Sequence, residues 1–112
     1  MLPKENRIKK NADFENIYRF GKAFFCGKIA VKIKENGLAV SRVGVSVGLN
    51  FSKKAVDRNK IKRQVRAFFR QNLEKIRTGY DIAVIAQKGY NKKINPRKEL
   101  TEILNKSGLF KI

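Results

Sequence analysis

The sequence predicts a single small α+β domain, ordered α-β-β-α-β-α, with a small sheet packed against one long basic helix. Three stretches predict it. KIAVKIKE, Lys28 to Glu35, alternates Ile29, Val31 and Ile33 with Ala30, Lys32 and Lys34, the period of a half-buried strand. In the segment Lys53 to Arg77, the residues Ile61, Val65, Phe68, Phe69, Leu73 and Ile76 fall within about 140° of a helix surface at about 100° per residue. YDIAVIAQ, Tyr80 to Gln87, is a buried strand by its length and apolar content.

The remaining elements follow from local chemistry. Residues 1–10 read as a flexible basic arm carrying Lys4, Arg7, Lys9 and Lys10. Asn11 is placed to cap a short helix, Ala12 to Phe20, with Phe14, Ile17 and Tyr18 on one stripe and Gly21 at its end. Asn36-Gly37 is the strongest short hairpin signal, so the return strand is expected from Leu38 to about Gly48, beside the first. Val43, Val45 and Val47 take one face of it. Gly44, Ser46 and Gly48 take the other, which carries almost no side chain and permits close approach.

Ser52 is placed to cap the long helix, and Thr78-Gly79 to end it. Lys88 to Ile94 form a basic loop. Asn95-Pro96 opens a last helix to about Lys106, with Leu100, Ile103 and Leu104 on its apolar side and Ser107-Gly108 at its end. Phe24 and Phe25 read as packing residues and Cys26 as a small buried hydrophobe. Tyr90 reads equally as a contact or a surface residue.

Composition narrows the function. The chain has 112 residues, enough for one modest core, and is 42% hydrophobic. Its net charge of +18 opposes compaction and calls for a polyanionic partner. The longest clean apolar run, Ile82 to Ala86, is too short for a membrane span. No apolar segment follows the first charges, so a soluble, cytoplasmic protein is expected. One cysteine precludes an internal disulfide and a cysteine-cluster metal site. There is no histidine, and the nine carboxylates are scattered. Nuclease chemistry borne by protein side chains therefore lacks visible machinery, and no catalytic or metal-ligating residue is assigned.

The basic helix carries the strongest signal. Between Lys53 and Arg70 only Asp57 is acidic, whereas solvated helices gain from mixed-sign pairs four residues apart. Lys54, Arg58, Lys62, Arg66 and Arg70 step by four and spiral across the helix. Lys54 and Arg58 point nearer its apolar side. A membrane-surface helix would need an exposed apolar face, but this one is wanted by the sheet. An α+β setting without zinc ligands favours structured or single-stranded RNA over DNA.

At this point the residues resemble a family. Lys53-Lys54-Ala55-Val56, Arg58-Asn59-Lys60-Ile61-Lys62-Arg63, Arg66 and Phe69-Arg70 resemble the signature of the bacterial ribonuclease P protein subunit. That family usually has Arg-Asn-Arg where this chain has Arg58-Asn59-Lys60; lysine keeps the charge but not the planar fork. Arg7 to Phe14 with Tyr18 and Gly21, Arg42 to Val47, and Gly79 to Ala86 resemble further family segments, so about residues 7–108 are covered.

The resemblance implies a ribonucleoprotein that removes the 5′ leader of precursor tRNA, with the catalytic centre and its Mg²⁺ in the RNA subunit. It implies a left-handed β-α-β crossover. The expected partners are ribonuclease P RNA and precursor tRNA, with no membrane and no obligate protein partner. It assigns contact with the RNA subunit to Lys53, Lys54, Arg58, Asn59, Lys60, Lys62, Arg63 and Arg66. It assigns the leader to a cleft between the first helix and the sheet, carried here to Phe14, Tyr18, Lys32, Lys34 and Ser46, with Gly44 and Gly48 in the floor. Arg7, Lys9 and Lys10 would add electrostatic reach. Phe14 and Tyr18, flanking Ile17 on one stripe, fit the core as well as the cleft. The rival functions are a non-enzymatic RNA-binding protein, a protein nuclease and a DNA-binding architectural protein.

Overall fold

The computed structural model describes residues 3–48, 51–86 and 96–110. Its elements are α1 (Asn11–Phe20), β1 (Lys22–Cys26), β2 (Ile29–Glu35), β3 (Arg42–Val47), α2 (Ala55–Asn72), β4 (Tyr80–Ala86) and α3 (Pro96–Ser107), with short 3-10 turns at Lys4–Asn6 and Leu73–Lys75. The four strands form one mixed sheet in the order β1-β2-β4-β3. β4 pairs antiparallel with β2 and parallel with β3, so β3-α2-β4 is the parallel crossover unit.

The sheet sorts its side chains by alternation. One face carries Ile29, Val31, Ile33, Val43, Ile82, Val84 and Ala86. α2 closes it with Ile61, Val65, Phe68 and Phe69, and α3 with Leu100, Ile103 and Leu104; all are buried. Among the described residues, the opposite face is covered by α1 and Ile8, where Ile17, wholly buried, meets Ile8, Ala83 and Phe14.

Several local expectations give way. Asn36-Gly37 does not make a hairpin. Gly37 does adopt φ +68°. The Asn36 side chain, however, accepts the Leu38 N–H and donates to the Val40 carbonyl and to Asp81. The chain thus swings past β4 before β3 begins, four residues later than expected. The hairpin is β1–β2, turned at Gly27 (φ +58°) and Lys28, and β1 was not foreseen as a strand. Asn11 is the first residue of α1, not its cap; Lys10 stands at the cap, and its carbonyl accepts the first helical N–H bonds. Ser52 lies two residues before the Lys54 cap, where its hydroxyl accepts the Lys54 N–H and donates to Asp57. α2 therefore starts two residues later than expected, and it ends at Asn72, where the Leu73–Lys75 turn takes over.

The stretch read as a free arm is fastened from Lys4 onward. Asn6 is buried and donates to the Ser41 carbonyl, and the Ile8 N–H donates to the Val43 carbonyl. Arg7 bridges β3 in parallel. Phe24 packs on the main core, but Phe25 is 60% exposed. Cys26 is half-buried and packs against the main core, and its thiol also donates to Glu102. The basic loop Lys88 to Ile94, with Tyr90, lies outside the described residues, as does Asn95.

Candidate nucleic-acid interface

One groove lies between α1 and β3, and another lies on the surface of α2. The first, about 330 Å³, runs between α1 and β3 and is lined by Asn11, Phe14, Glu15, Tyr18, Val45 and Ser46. Gly44 explains its shape. A Cβ there would stand 2.3 Å from Cζ of Phe14, so only glycine lets the ring settle on the strand. Phe14 therefore belongs to both readings: one edge packs with Ile8, Ile17 and Ala83, and the rest forms groove wall. Its ring lies 6.2 Å from that of Tyr18, which is 38% exposed.

Lys32 stands beside this wall. Its ammonium donates to the Tyr18 carbonyl at 3.0 Å and lies 5.6 Å from the Tyr18 ring centroid. It thus caps the negative end of α1 while keeping a cation beside the aromatic pair. Lys34 is not brought to the groove. It shares its row of the sheet with Asp81 and Arg42, one row removed from Lys32 and away from Ser46. It lines a separate cavity of about 500 Å³ with Phe20, Lys22, Phe24 and Tyr80. Gly48 is exposed at the far end of β3.

The second groove, about 420 Å³, lies on α2 and is lined by Val56, Asn59, Lys62, Arg63 and Arg66. Lys53, Lys54 and Lys60 are exposed on or just before the same helix. Arg58 differs: half-buried, it donates to the Ser52 carbonyl at 2.9 Å and ties down the segment leading into α2. Val56, 74% exposed, is an apolar spot amid the cations. A smaller cavity of about 160 Å³ joins the two surfaces, with Arg7, Ile8, Phe14, Gly44 and Arg66 around it. Arg66 thus reaches from the helix surface to the aromatic groove.

Glu15 lines the first groove itself, and three other carboxylates near these surfaces are engaged. Asp81 accepts two bonds from Arg42, at 2.8 and 2.6 Å, and Asp13 pairs with the same guanidinium at 3.4 Å. The Asp81 carboxylate, followed by Asp13, raises the affinity of Arg42 for its proton. Asp57 accepts from Ser52. Among the described residues no three carboxylate or cysteine side chains come together to hold a metal ion.

The family model for ribonuclease P matches residues 2–108. The chain belongs to the ribonuclease P protein family. Ribonuclease P protein components of similar sequence include one from Clostridium botulinum (strain 657), 36% identical and aligned over 96% of this chain and 98% of its own. Another, from Clostridium kluyveri, is 38% identical over 94% and 96%. The RNase P protein of Staphylococcus aureus superposes with a TM-score of 0.84 at 34% identity, covering 95% of this chain and 98% of that one. That of Thermotoga maritima gives 0.76 at 33% identity, over 89% and 96%.

Within the ribonuclease P protein fold, sequence reasoning missed Asn11, Glu15 and Ile8 as groove residues, and the double position of Arg66. The bare face at Gly44 was the available signal for close approach. What approaches it is Phe14 itself.

Proposed function

We propose that this chain is the protein subunit of a ribonucleoprotein ribonuclease P that removes the 5′ leader of precursor tRNA in the cytoplasm. The observation that carries the reading is the pair of grooves meeting at Arg66. One is walled by aromatic rings and the other by unopposed cations, in a chain of this family. Unpaired bases stack on aromatic faces whatever their identity, which suits leaders of varied sequence. Phe14 and Tyr18 take that role, with Lys32 beside them and Ser46 at the floor.

Lys53, Lys54, Asn59, Lys60, Lys62, Arg63 and Arg66 bind the backbone of the RNA subunit, by charge and by hydrogen bonds to phosphate oxygens. Arg58 serves that surface by holding the entry to α2. Lys34 lies outside the groove and contributes charge at a distance. The protein thus raises the affinity for precursor over mature tRNA and screens repulsion between two RNAs. No side chain here is assigned to bond cleavage. The Mg²⁺ for that chemistry is assigned to the RNA subunit and substrate, and no step is routed through a protein-held ion.

The test mixes the purified protein with a bacterial ribonuclease P RNA and 5′-labelled precursor tRNA, at Mg²⁺ too low for the RNA alone to act quickly. Stimulated release of an intact leader is expected. Tight RNA binding without stimulation would overturn the subunit reading in favour of a general RNA-binding protein. Cleavage by the protein alone, persisting after ribonuclease treatment, would overturn the RNA-borne catalysis.

A further inference from the structure

The cavity beside Lys34 has no part in either RNA surface. It holds about 500 Å³, more than either groove, and lies where β2 ends and β1 and β4 begin. Two chain turns build it. α1 ends at Phe20 and passes straight into β1 at Gly21, where a Cβ would stand 2.5 Å from the Ile17 carbonyl oxygen and 3.0 Å from that of Ile33. On the other side α3 ends at Ser107 and the chain turns so that Leu109 is buried. The space between these two helix ends and the sheet stays open. Tyr80, at its row of β4, stands five residues before Ile85, the partner of Ser46 in the aromatic groove. That is roughly 16 Å along the strand.

The lining has two parts. Phe20, Phe24 and Tyr80 supply three rings, and Ile33 and Leu109 complete an apolar wall. Phe20 is 66% exposed, so its ring adds little to the core. Lys22, Lys34 and Glu35 supply the charge, two cations against one carboxylate. The Lys34 ammonium donates to the Glu35 backbone carbonyl at 3.4 Å, and among the described residues neither lysine forms a salt bridge. Pockets of about 300–1,000 Å³ with apolar, aromatic walls and a few convergent polar groups are the usual form of small-molecule sites.

We propose that this cavity binds a small aromatic anion. The flat apolar body rests against Phe20, Phe24 and Tyr80, and a carboxylate or sulfonate head meets Lys22 and Lys34. Glu35 accepts a hydroxyl or N–H of the ligand and disfavours a second negative charge. Because the site shares no residue with the two grooves, it stays open while RNA is bound, and it stands independently of the leader reading.

The experiment titrates the reconstituted holoenzyme with anilinonaphthalene sulfonate, an aryl anion that fluoresces when its rings leave water, against the RNA subunit alone as blank. One saturable equivalent is expected. Phe20→Ala and Lys22→Gln should each weaken it about fivefold, and Phe20→Tyr should restore it. Lys98→Gln, which removes an exposed cation of α3 outside the cavity, should leave it unchanged. Phe20 and Lys22 are exposed, so these variants should unfold where wild type does. The inference is overturned if no saturable binding occurs, or if Phe20→Ala and Lys22→Gln bind the dye as wild type does. Equal affinity for phenylnaphthylamine, the same rings without the sulfonate, would overturn the anion and leave only an apolar cleft.

Discussion

Gly44→Ala is the sharpest perturbation of the aromatic groove, since it adds one methyl group in one known direction. The new Cβ would stand 2.3 Å from Phe14 Cζ, 2.6 Å from its Cε1 and 3.2 Å from Ile8 Cβ. Carbon atoms rest about 3.5–4.0 Å apart, so the ring tip must retreat by about 1.2–1.7 Å. The strand backbone cannot yield, because β3 is paired with β4 along its length. The ring therefore moves toward the groove. Overpacking of this size costs about 2 kcal/mol. In a domain near this size that lowers Tm by about 8 °C. Losing part of one stacking surface should weaken binding of leader-bearing precursor about fivefold, while leaderless tRNA and the RNA subunit bind as before. The assays are thermal unfolding and equilibrium binding, each repeated in a Phe14→Ala background. If Gly44→Ala costs as much stability there as it does alone, the Phe14 contact is not the cause. If stability falls but leader affinity holds, Phe14 is core only and the groove reading is refuted.

Asp81→Asn should destabilise the protein by about 2–3 kcal/mol in urea unfolding, less than for a fully buried pair because the Arg42 side chain remains 23% exposed. Glu99 is expected to impose a pH dependence of the opposite sense to an ion pair. Burial raises its pKa above 4.5 in the folded state, and one carboxylate oxygen has no partner. Its charged form therefore opposes folding at neutral pH, and that penalty fades as pH falls through the raised value toward 4.5. Glu99→Gln should be more stable than wild type at neutral pH and converge with it in acid, as read by Tm against pH. Cys26 should alkylate more slowly than a free thiol at neutral pH, because its bond to Glu102 raises its pKa first and burial second; Glu102→Ala should speed the reaction. Arg63→Ala should leave the fold intact, weaken RNA-subunit binding and reduce the salt slope of binding by about one.

The two helices facing the main core and the strands β2 and β4 were legible because their apolar periods are long and uninterrupted. Strand order was not. Asn36-Gly37 signals a two-residue turn only if the flanking strands pair, and that depends on β4, more than forty residues farther along. β4 claims β2 from one side and β3 from the other, so β3 lands two places from β2. β1 was missed because KAFFC lacks clean alternation: Phe24 and Phe25 are equally apolar, yet one is half-buried against the core and the other exposed. Gly27-Lys28 between two strand-like runs was the usable turn signal. For the site, the helix cations could be placed by angle alone. Lys34 could not, because whether it faces the groove depends on where α1 crosses the sheet.

The charge on α2 is a cost that its buried face outweighs. Lys54, Arg58, Lys62, Arg66 and Arg70 make four like-charge steps along the row, together about 1–2 kcal/mol against the free helix. Burying Ile61, Val65, Phe68 and Phe69 contributes about 6–12 kcal/mol at the usual value per side chain. The sheet thus holds the helix in a form its surface disfavours, with Arg66 and Arg70 exposed to solvent and Arg58 turned back to the Ser52 carbonyl. Salt must then act in two senses. It screens the repulsion and raises the stability of the free protein, and it weakens the attraction of the same residues to RNA. Arg63 lies three residues from both Lys60 and Arg66, so it contributes to both effects. Its removal should flatten the rise of Tm with salt and the fall of RNA affinity with salt together. A surface whose charge served only solubility would show the first change without the second.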